Sequence, residues 1–193
     1  MKKIAIVIGS VRDGRVGPQV GEWIKEMGET HGKAEYSIID LKDYNMPIFH
    51  KRFSEYEGNE EEYARLKELQ EKTLEADGYI FITPEYNHGM TSAQKNYFDL
   101  YYAEFNNKAA GIVSYGSFLG ARAAEQLRSV LSELQIAHVR QHVGLSLFTD
   151  FEGFVNFKPQ ALHTDGVNIM LDQLVSWTEA LWTGYNVIDK SVS

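Results

Sequence analysis

The sequence predicts an α/β three-layer sandwich: a five-stranded parallel sheet with helices on both faces. Three observations predict it. Short apolar runs alternate with helix-length amphipathic segments along the chain, which is the pattern of right-handed βαβ units. The run Gly78-Tyr79-Ile80-Phe81-Ile82-Thr83 is almost continuously apolar, as a strand buried on both faces must be. The first run, Lys3-Ile4-Ala5-Ile6-Val7-Ile8-Gly9, passes straight into a glycine-containing loop and a helix start. In open parallel sheets that join sits beside the ligand.

Each element follows from local pattern. After the strand at 3–9 comes a helix near 18–29, with Pro18 suited to its first turn. A second strand lies near 35–41, and residues 42–58, which carry Pro47, read as irregular. A charged helix at 60–76 sets Tyr63, Leu66, Leu69, Gln70 and Leu74 roughly on one face. The third strand, 78–83, precedes a helix at 92–105 and a fourth strand at 109–114. A helix at 120–135 repeats apolar residues at Ala123, Ala124, Leu127, Val130, Leu131 and Leu134. The fifth strand lies within 138–147. A loop with Phe148, Phe151, Phe154 and Phe157 then leads to a last helix at 166–183. In the strand order 2-1-3-4-5, the loops at 10–17, 84–90 and 114–120 converge beyond the carboxyl ends of the strands, where the winding reverses. No repeat or linker divides the sequence, so residues 1–193 are expected to form one domain that buries roughly 70% of its unfolded surface.

Composition narrows the function. The 19 basic and 27 acidic side chains leave a net charge of -8, a poor match for nucleic acid, which needs a positive face. There are no cysteines, which excludes disulfides, thiolate catalysis and cysteine-held metals. The start, Met1-Lys2-Lys3 and a short aliphatic run, is interrupted by Arg12 and Asp13 too early for a signal peptide. No stretch reaches the roughly 20 apolar residues of a membrane span. A soluble cytoplasmic protein is the expectation.

The loop Ser10-Val11-Arg12-Asp13-Gly14-Arg15-Val16-Gly17-Pro18 has the makings of a phosphate cradle. Backbone N–H groups and a helix start favour an anion, and guanidinium groups neutralise it. Gly9 and Gly14 have Walker A spacing, but Arg15 and Val16 replace its Lys and Ser/Thr, and valine cannot ligate Mg²⁺. The G-x-G-x-x-G pattern is absent as well. What remains suits a terminal phosphate monoester held by Ser10, Arg12, Arg15 and the N–H groups near Val16 and Gly17, each charge-assisted bond contributing on the order of 1.5–3 kcal/mol. The same loop also reads as a tight turn with two solvated arginines.

Two further loops complete the edge. Pro84 stops the third strand, and Glu85, Tyr86 and Asn87 follow with a carboxylate, an aromatic face and an amide, the company a flat heterocycle needs. A turn with a half-buried tyrosine is the plainer alternative, and His88 reads as a solvated loop histidine. The loop from Ser114, Tyr115 and Gly116 to Gly120 offers small residues and N–H groups but lacks G-x-S-x-G order. Arg122 and Arg128 read as surface ion-pair partners of Glu125 or of a neighbouring subunit. His138 and His142 are spaced too far apart for a paired metal site, so no metal is expected. Asp40 reads as a loop cap. His50, Lys51 and Arg52 could meet a 2′-phosphate, with a solvated loop the simpler reading.

The blocks Gly9-Ser10-Val11-Arg12…Arg15-Val16-Gly17-Pro18, Thr83-Pro84-Glu85-Tyr86-Asn87-His88-Gly89…Lys95-Asn96 and Ser114-Tyr115-Gly116…Gly120-Ala121-Arg122-Ala123 resemble the NADPH-dependent FMN reductase family of flavodoxin-like flavoproteins. The resemblance runs from Ile4 to about Leu147. It implies a flavodoxin-like sandwich that binds FMN, with the phosphate on Ser10, Arg12, Arg15, Val16 and Gly17. The ring would lie against Pro84, Glu85, Tyr86, Asn87, Ser114, Tyr115 and Gly116. It implies hydride passage from NADPH or NADH to FMN and on to a flavin, quinone, azo or similar small-molecule acceptor by a ping-pong scheme, in a homodimer or homotetramer. No side chain is nominated as a catalytic acid or base. A flavodoxin-like electron carrier, or an FMN-binding redox sensor with negligible turnover, is the alternative. Two departures from the family pattern stand out: Gly17 replaces a polar residue common in relatives, and Gly89-Met90-Thr91-Ser92-Ala93 replaces a segment richer in proline.

Overall fold

The computed structural model describes residues 1–56 and 60–189. Its elements are β1 (Lys2–Ile8), α1 (Gly17–His31), β2 (Ala34–Asp40), α2 (Glu60–Glu75), β3 (Gly78–Pro84), α3 (Ser92–Leu100), β4 (Lys108–Gly116), α4 (Ala121–Glu133), β5 (Ile136–Ser146), the two-residue strands β6 (Phe151–Glu152) and β7 (Asn156–Phe157), and α5 (His163–Asp189). The large sheet has five parallel strands in the order β2-β1-β3-β4-β5, as expected. Single 3₁₀ turns at Leu41–Tyr44 and Phe53–Glu55 punctuate the stretch expected to be irregular; its end, at Gly58, lies outside the described residues.

Alternation along the strands divides the interior into two cores. Ile4, Ile6, Ile8, Ile80, Ile82 and Val113 face α1 and α5 in an aliphatic layer. Ala5, Val7, Tyr79, Phe81 and Ile112 face α2, α3 and α4 in an aromatic one. There Tyr79 stacks on Phe81, and Tyr97 meets Phe105 edge-on with centroids 5.1 Å apart. The buried phenols need partners, and α2 supplies them. Tyr79 donates to Thr73 O, Tyr101 donates to Leu66 O, and Thr73 Oγ1 shares a bond with the Tyr97 hydroxyl. This explains why the third helix stops at Leu100, short of the expected 105: Tyr101 turns extended to carry its ring into the core, and Ala103–Phe105 forms a separate 3₁₀ turn. On α2 the buried stripe is Leu66, Leu69 and Thr73, while Tyr63 and Leu74 stand exposed, so the expected face was drawn too wide.

The edge strand β5 is interrupted. Ala110 pairs with His138 and Ile112 with His142, so two steps along β4 match four along β5. Arg128 on α4 donates to the carbonyls of Val139 and Arg140 in the bulged segment, and Gln173 on α5 accepts the Gln141 N–H. An unpaired edge invites another strand; here side chains occupy its central groups.

Gly28 in α1 lies against the Tyr36 ring, and a Cβ there would sit 2.7–2.8 Å from three ring carbons. Helix propensity favours alanine by about 1 kcal/mol, but overpacking costs about 1–3 kcal/mol. Gly28→Ala is therefore expected to lower stability on balance, read as a lower urea midpoint at unchanged slope.

Candidate functional site

The helices α1, α3 and α4 begin at the carboxyl edge of the sheet directly after the three converging loops, and each start must satisfy its free N–H groups. For α3 the Thr91 side chain accepts from Gln94 N, while its hydroxyl donates to Gly9 O and ties the helix to the end of β1. For α4 the cap is a carboxylate. Glu85 accepts from Arg122 N at 3.1 Å and from the Arg122 guanidinium at 2.6 Å. Burial alone raises the Glu85 carboxyl, but the bonds from Arg122 outweigh it and hold the group below the usual carboxylate range. For α1 no side chain caps the start at Val16, and Pro18 brings no N–H. Among the described residues, no acceptor takes the N–H groups of Val16 and Gly17.

The floor beneath that open start is polar and fully enclosed. Ser10 is buried, with its Oγ 3.5 Å from the Tyr115 hydroxyl, which reaches in from β4. A Cβ on Gly17 would come within 2.5 Å of Ser10 Oγ and 3.2 Å of the Tyr115 oxygen. The absence of a side chain at Gly17 thus leaves room for this hydroxyl pair. Tyr115 contributes from below, a role its position in the third loop did not suggest. Burial pushes its phenol well above the ordinary tyrosine range, so it stays protonated.

Arg12 and Arg15 part company. Arg12 is exposed, and its Nε donates to the Tyr86 hydroxyl at 3.0 Å, bridging the 10–17 loop to the loop after β3. Arg15 was expected to face the anion with its guanidinium; instead it makes two bonds of 2.6 Å to Asp40 at the end of β2 and one of 2.7 Å to Ser10 O. This fork-to-fork pair is mostly shielded from water and fixes the loop. Asp40 also caps the following turn through Lys42 N, as expected.

The loop after β3 is a tight hairpin. Tyr86 and Gly89 exchange both backbone bonds, and Asn87 and His88 take left-handed φ values of 50° and 69°. Their side chains stand exposed, and Gln126 on α4 holds the turn from behind through Met90 N. Two other side chains of these loops are engaged within the protein. Glu85, expected to face a ring, spends its carboxylate on α4. Ser114, expected likewise, is buried: its hydroxyl donates to Leu119 O at 2.6 Å and accepts from His142 Nε2 at 2.7 Å. Both are bracing residues of the loop walls. Gly116 packs tightly against Glu85 and Gly120, where a Cβ would meet each at 3.2 Å. Arg122 pairs with Glu85, while Arg128 does approach Glu125, at 3.6 Å, and donates to His138 Nδ1. His138 and His142 thus serve separate partners; burial first, then the Arg128 charge, lowers the pKa of both rings.

Sequence reasoning missed Gln94. It is fully buried, neither amide atom has a partner, and its amide lies where a Cβ of Gly9 would be, 2.9 Å away. A buried unpartnered amide at the mouth of a loop is costly unless something completes it. Asn96 was quoted only as part of a motif; it clamps the 47–49 segment, accepting from Phe49 N and donating to Pro47 O.

Free N–H groups at an uncapped helix start, a buried hydroxyl, a bridging arginine and a rigid turn beside small-residue walls suit a phosphate ester with a planar head. Comparison with known proteins agrees. A family model described as NADPH-dependent FMN reductase matches residues 2–150. An NAD(P)H-dependent FMN reductase of Schizosaccharomyces pombe is 34% identical over 137 residues, which cover 69% of this chain and 68% of that protein. A 2-hydroxy-1,4-benzoquinone reductase of a Burkholderia species is 26% identical over 146 residues, 72% of this chain and 75% of that one. Among solved structures, a flavoenzyme NAD(P)H:(acceptor) oxidoreductase of Paracoccus denitrificans shares the fold, with a TM-score of 0.73 at 17% identity over 93% of this chain and 98% of its own.

The Glu85 cap has a signed pH dependence. Its folded-state pKa is depressed, so its stabilisation is complete above the unfolded carboxylate value near about 4.3 and is lost as pH falls through the folded value. Glu85→Gln is expected to cost about 1 kcal/mol at pH 7. The gap from the parent should close on acidification below about pH 4, as followed by urea unfolding across pH.

Proposed function

The chain belongs to the NADPH-dependent FMN reductase family, an oxidoreductase using FMN and NAD(P)H, and on that premise we propose a ping-pong exchange ending on a flavin, quinone, azo or similar small-molecule acceptor. The observation that carries the reading is the uncapped start of α1. Of the helix starts that follow the three converging loops, those of α3 and α4 are closed by Thr91 and Glu85, and that of α1 is left with free N–H groups over a buried hydroxyl. We assign the FMN phosphate to the N–H groups of Val16 and Gly17, the Ser10 hydroxyl and the Arg12 guanidinium, with Arg15 and Tyr115 as braces. The ring is assigned to the walls made by Pro84, Tyr86, Asn87 and Gly116, with Glu85 and Ser114 holding those walls in place.

Bound FMN supplies a group that takes a hydride and returns it, which no side chain of this protein can do. The protein binds and orients. The free N–H groups and Arg12 hold the dianion. The Tyr86–Gly89 hairpin, closed by two backbone bonds, fixes the wall without needing a ligand to fold it. The Arg12–Tyr86 bond makes the phosphate loop and the ring wall one unit. The balance is simple: NAD(P)H gives up two electrons and a proton as hydride, and a quinone takes these with one solvent proton to become a hydroquinone. The two half-buried histidines, both lowered in pKa and internally partnered, are not assigned a proton-transfer role. The benzoquinone reductase relative supports a quinone-type acceptor. A cytoplasmic homodimer or homotetramer belongs to the same proposal, on family membership alone.

The test is the absorbance spectrum of protein purified with added FMN, before and after anaerobic NADPH. A retained yellow chromophore bleached by NADPH, and parallel double-reciprocal lines with menadione, are expected; a protein that retains no FMN sinks the reading. Gly17→Ala would drive a methyl into Ser10 Oγ, and is expected to raise the FMN Kd at least tenfold, about 1.4 kcal/mol, in a fluorescence-quenching titration.

A further inference from the structure

The turn and hairpin after β5 expose two phenylalanines. Phe148 is 66% exposed and Phe154 55%, and their rings meet edge-on at 5.8 Å. Phe154 sits at φ 63°, after Gly153 at φ 59°. A bulky residue in the left-handed region costs on the order of 1–2 kcal/mol and persists only where its surroundings over-determine it. They do so here. Gln19 in the first turn of α1 donates to Val155 O at 2.8 Å and accepts from Phe157 N at 2.9 Å. Phe151 is buried between Tyr115 and Phe157, and Trp23 closes on Phe157. The buried Asp150 carboxylate gathers Ser146 N, Gln160 N and the His163 ring at the base. Two apolar rings are thus held out into water on a rigid, strained support, although covering each would be worth roughly 1.5–3 kcal/mol.

Their place in the fold is informative. Leu147 N donates to Gly116 O, so the Phe148 turn stands against the loop assigned to the ring wall. The hairpin's other side is tied to α1, one turn beyond the cradle. The platform therefore links the end of β4 to the first turn of α1, beside two of the segments to which FMN is assigned. Charge does not define it: the hairpin's own ionic groups, Glu152 and Lys158, pair with each other. It is also small. Phe148, Phe154 and Val155 expose on the order of 300 Å², well short of the about 800 Å² per partner of a stable protein interface.

We propose that the Phe148–Phe154 pair is the acceptor-selecting platform of this enzyme, stacking uncharged, planar aromatic acceptors of the naphthoquinone class beside the cofactor. The proposal rests on the FMN reading above. Stacking accepts any flat π-face and gives nothing to a small inorganic ion, so the platform must discriminate between those acceptors.

The test uses the full-length, FMN-loaded protein with Phe148→Ala and Phe154→Gly. Glycine relieves the backbone strain at 154, so that variant is expected to unfold at the parent temperature or above it. With menadione as probe, KM is expected to rise about tenfold in each variant, with ferricyanide KM within twofold of the parent. Equal changes for both acceptors, no change for menadione, or conversion from a larger assembly to a smaller one on gel filtration would overturn the proposal, the last by making the pair a contact between copies. FMN content and bleaching by NADPH, read first on the parent, separate the two levels. A parent that fails them overturns the FMN reading and this proposal together, whereas a parent that passes isolates the platform.

Discussion

One electrostatic constraint organises the carboxyl edge of this protein: a helix start carries partial positive charge and N–H groups that must be met. Among the helices that start there, α1, α3 and α4 follow the three converging loops, and each start is met differently. Thr91 closes α3 with a neutral hydroxyl and at the same time pulls Gly9 into place. Glu85 closes α4 with a carboxylate, so the loop after β3 and the helix after β4 move as one piece. The start of α1 has no side-chain cap. Gly17 shows how little room there is for a side chain at that start.

Around that opening, charge is used for bracing at least as much as for binding. Arg15 and Asp40 form a two-bonded pair that is largely out of water. Removing either partner of such a pair would strand the other's charge, which is more damaging than the pair's own net contribution. The pair therefore says little about overall stability and a good deal about register: it joins the first loop to the end of β2, leaving Arg12 as the exposed cation of that loop. The far end of the sheet uses a different device. Lys108 Nζ donates to Thr73 O, Leu74 O and the Tyr79 hydroxyl, closing the last turn of α2 beneath the aromatic core. Burial lowers this lysine to about 8, yet three acceptors account for its three donors. A cation that ends a helix needs no further role.

Much of this was legible from the residues in order, and the boundary of legibility has a physical cause. Strand and helix alternation, the sheet order and the three converging loops depend on local pattern, and each survived contact with the structure within a few residues. What local pattern did not show was the set of partners distant in the chain. Arg15 meets Asp40 25 residues on, Ser114 meets His142 28 residues on, and Glu85 meets Arg122 37 residues on. A sequence shows that a carboxylate and an arginine exist at one edge, but not which pairs close internally. The third helix was drawn too long for a related reason: Tyr101 fits the helical apolar spacing, and only the core position of its ring makes the backbone leave the helix. Gln94 left no usable trace, because a glutamine in a helix usually signals a solvated face and its burial beside Gly9 is set by tertiary packing.

The distribution of backbone strain argues that the site is shaped before any ligand arrives. Of the non-glycine residues at positive φ, the asparagines tolerate that region at little cost. Leu119, Gln135 and Phe154 do not, and two of these three lie at the carboxyl edge, where His88, of a type that enters this region more readily, sits as well. Each is held by bonds made elsewhere: His88 by the Tyr86–Gly89 exchange, Leu119 by the Ser114 hydroxyl on its carbonyl, and Phe154 by the Gln19 clamps on either side of it. If a ligand had to impose these conformations, its binding energy would be diminished by their cost, on the order of 1–3 kcal/mol apiece. Because the protein's own hydrogen bonds already impose them, the walls of the pocket are present in the folded chain, and a ligand meets a fixed shape.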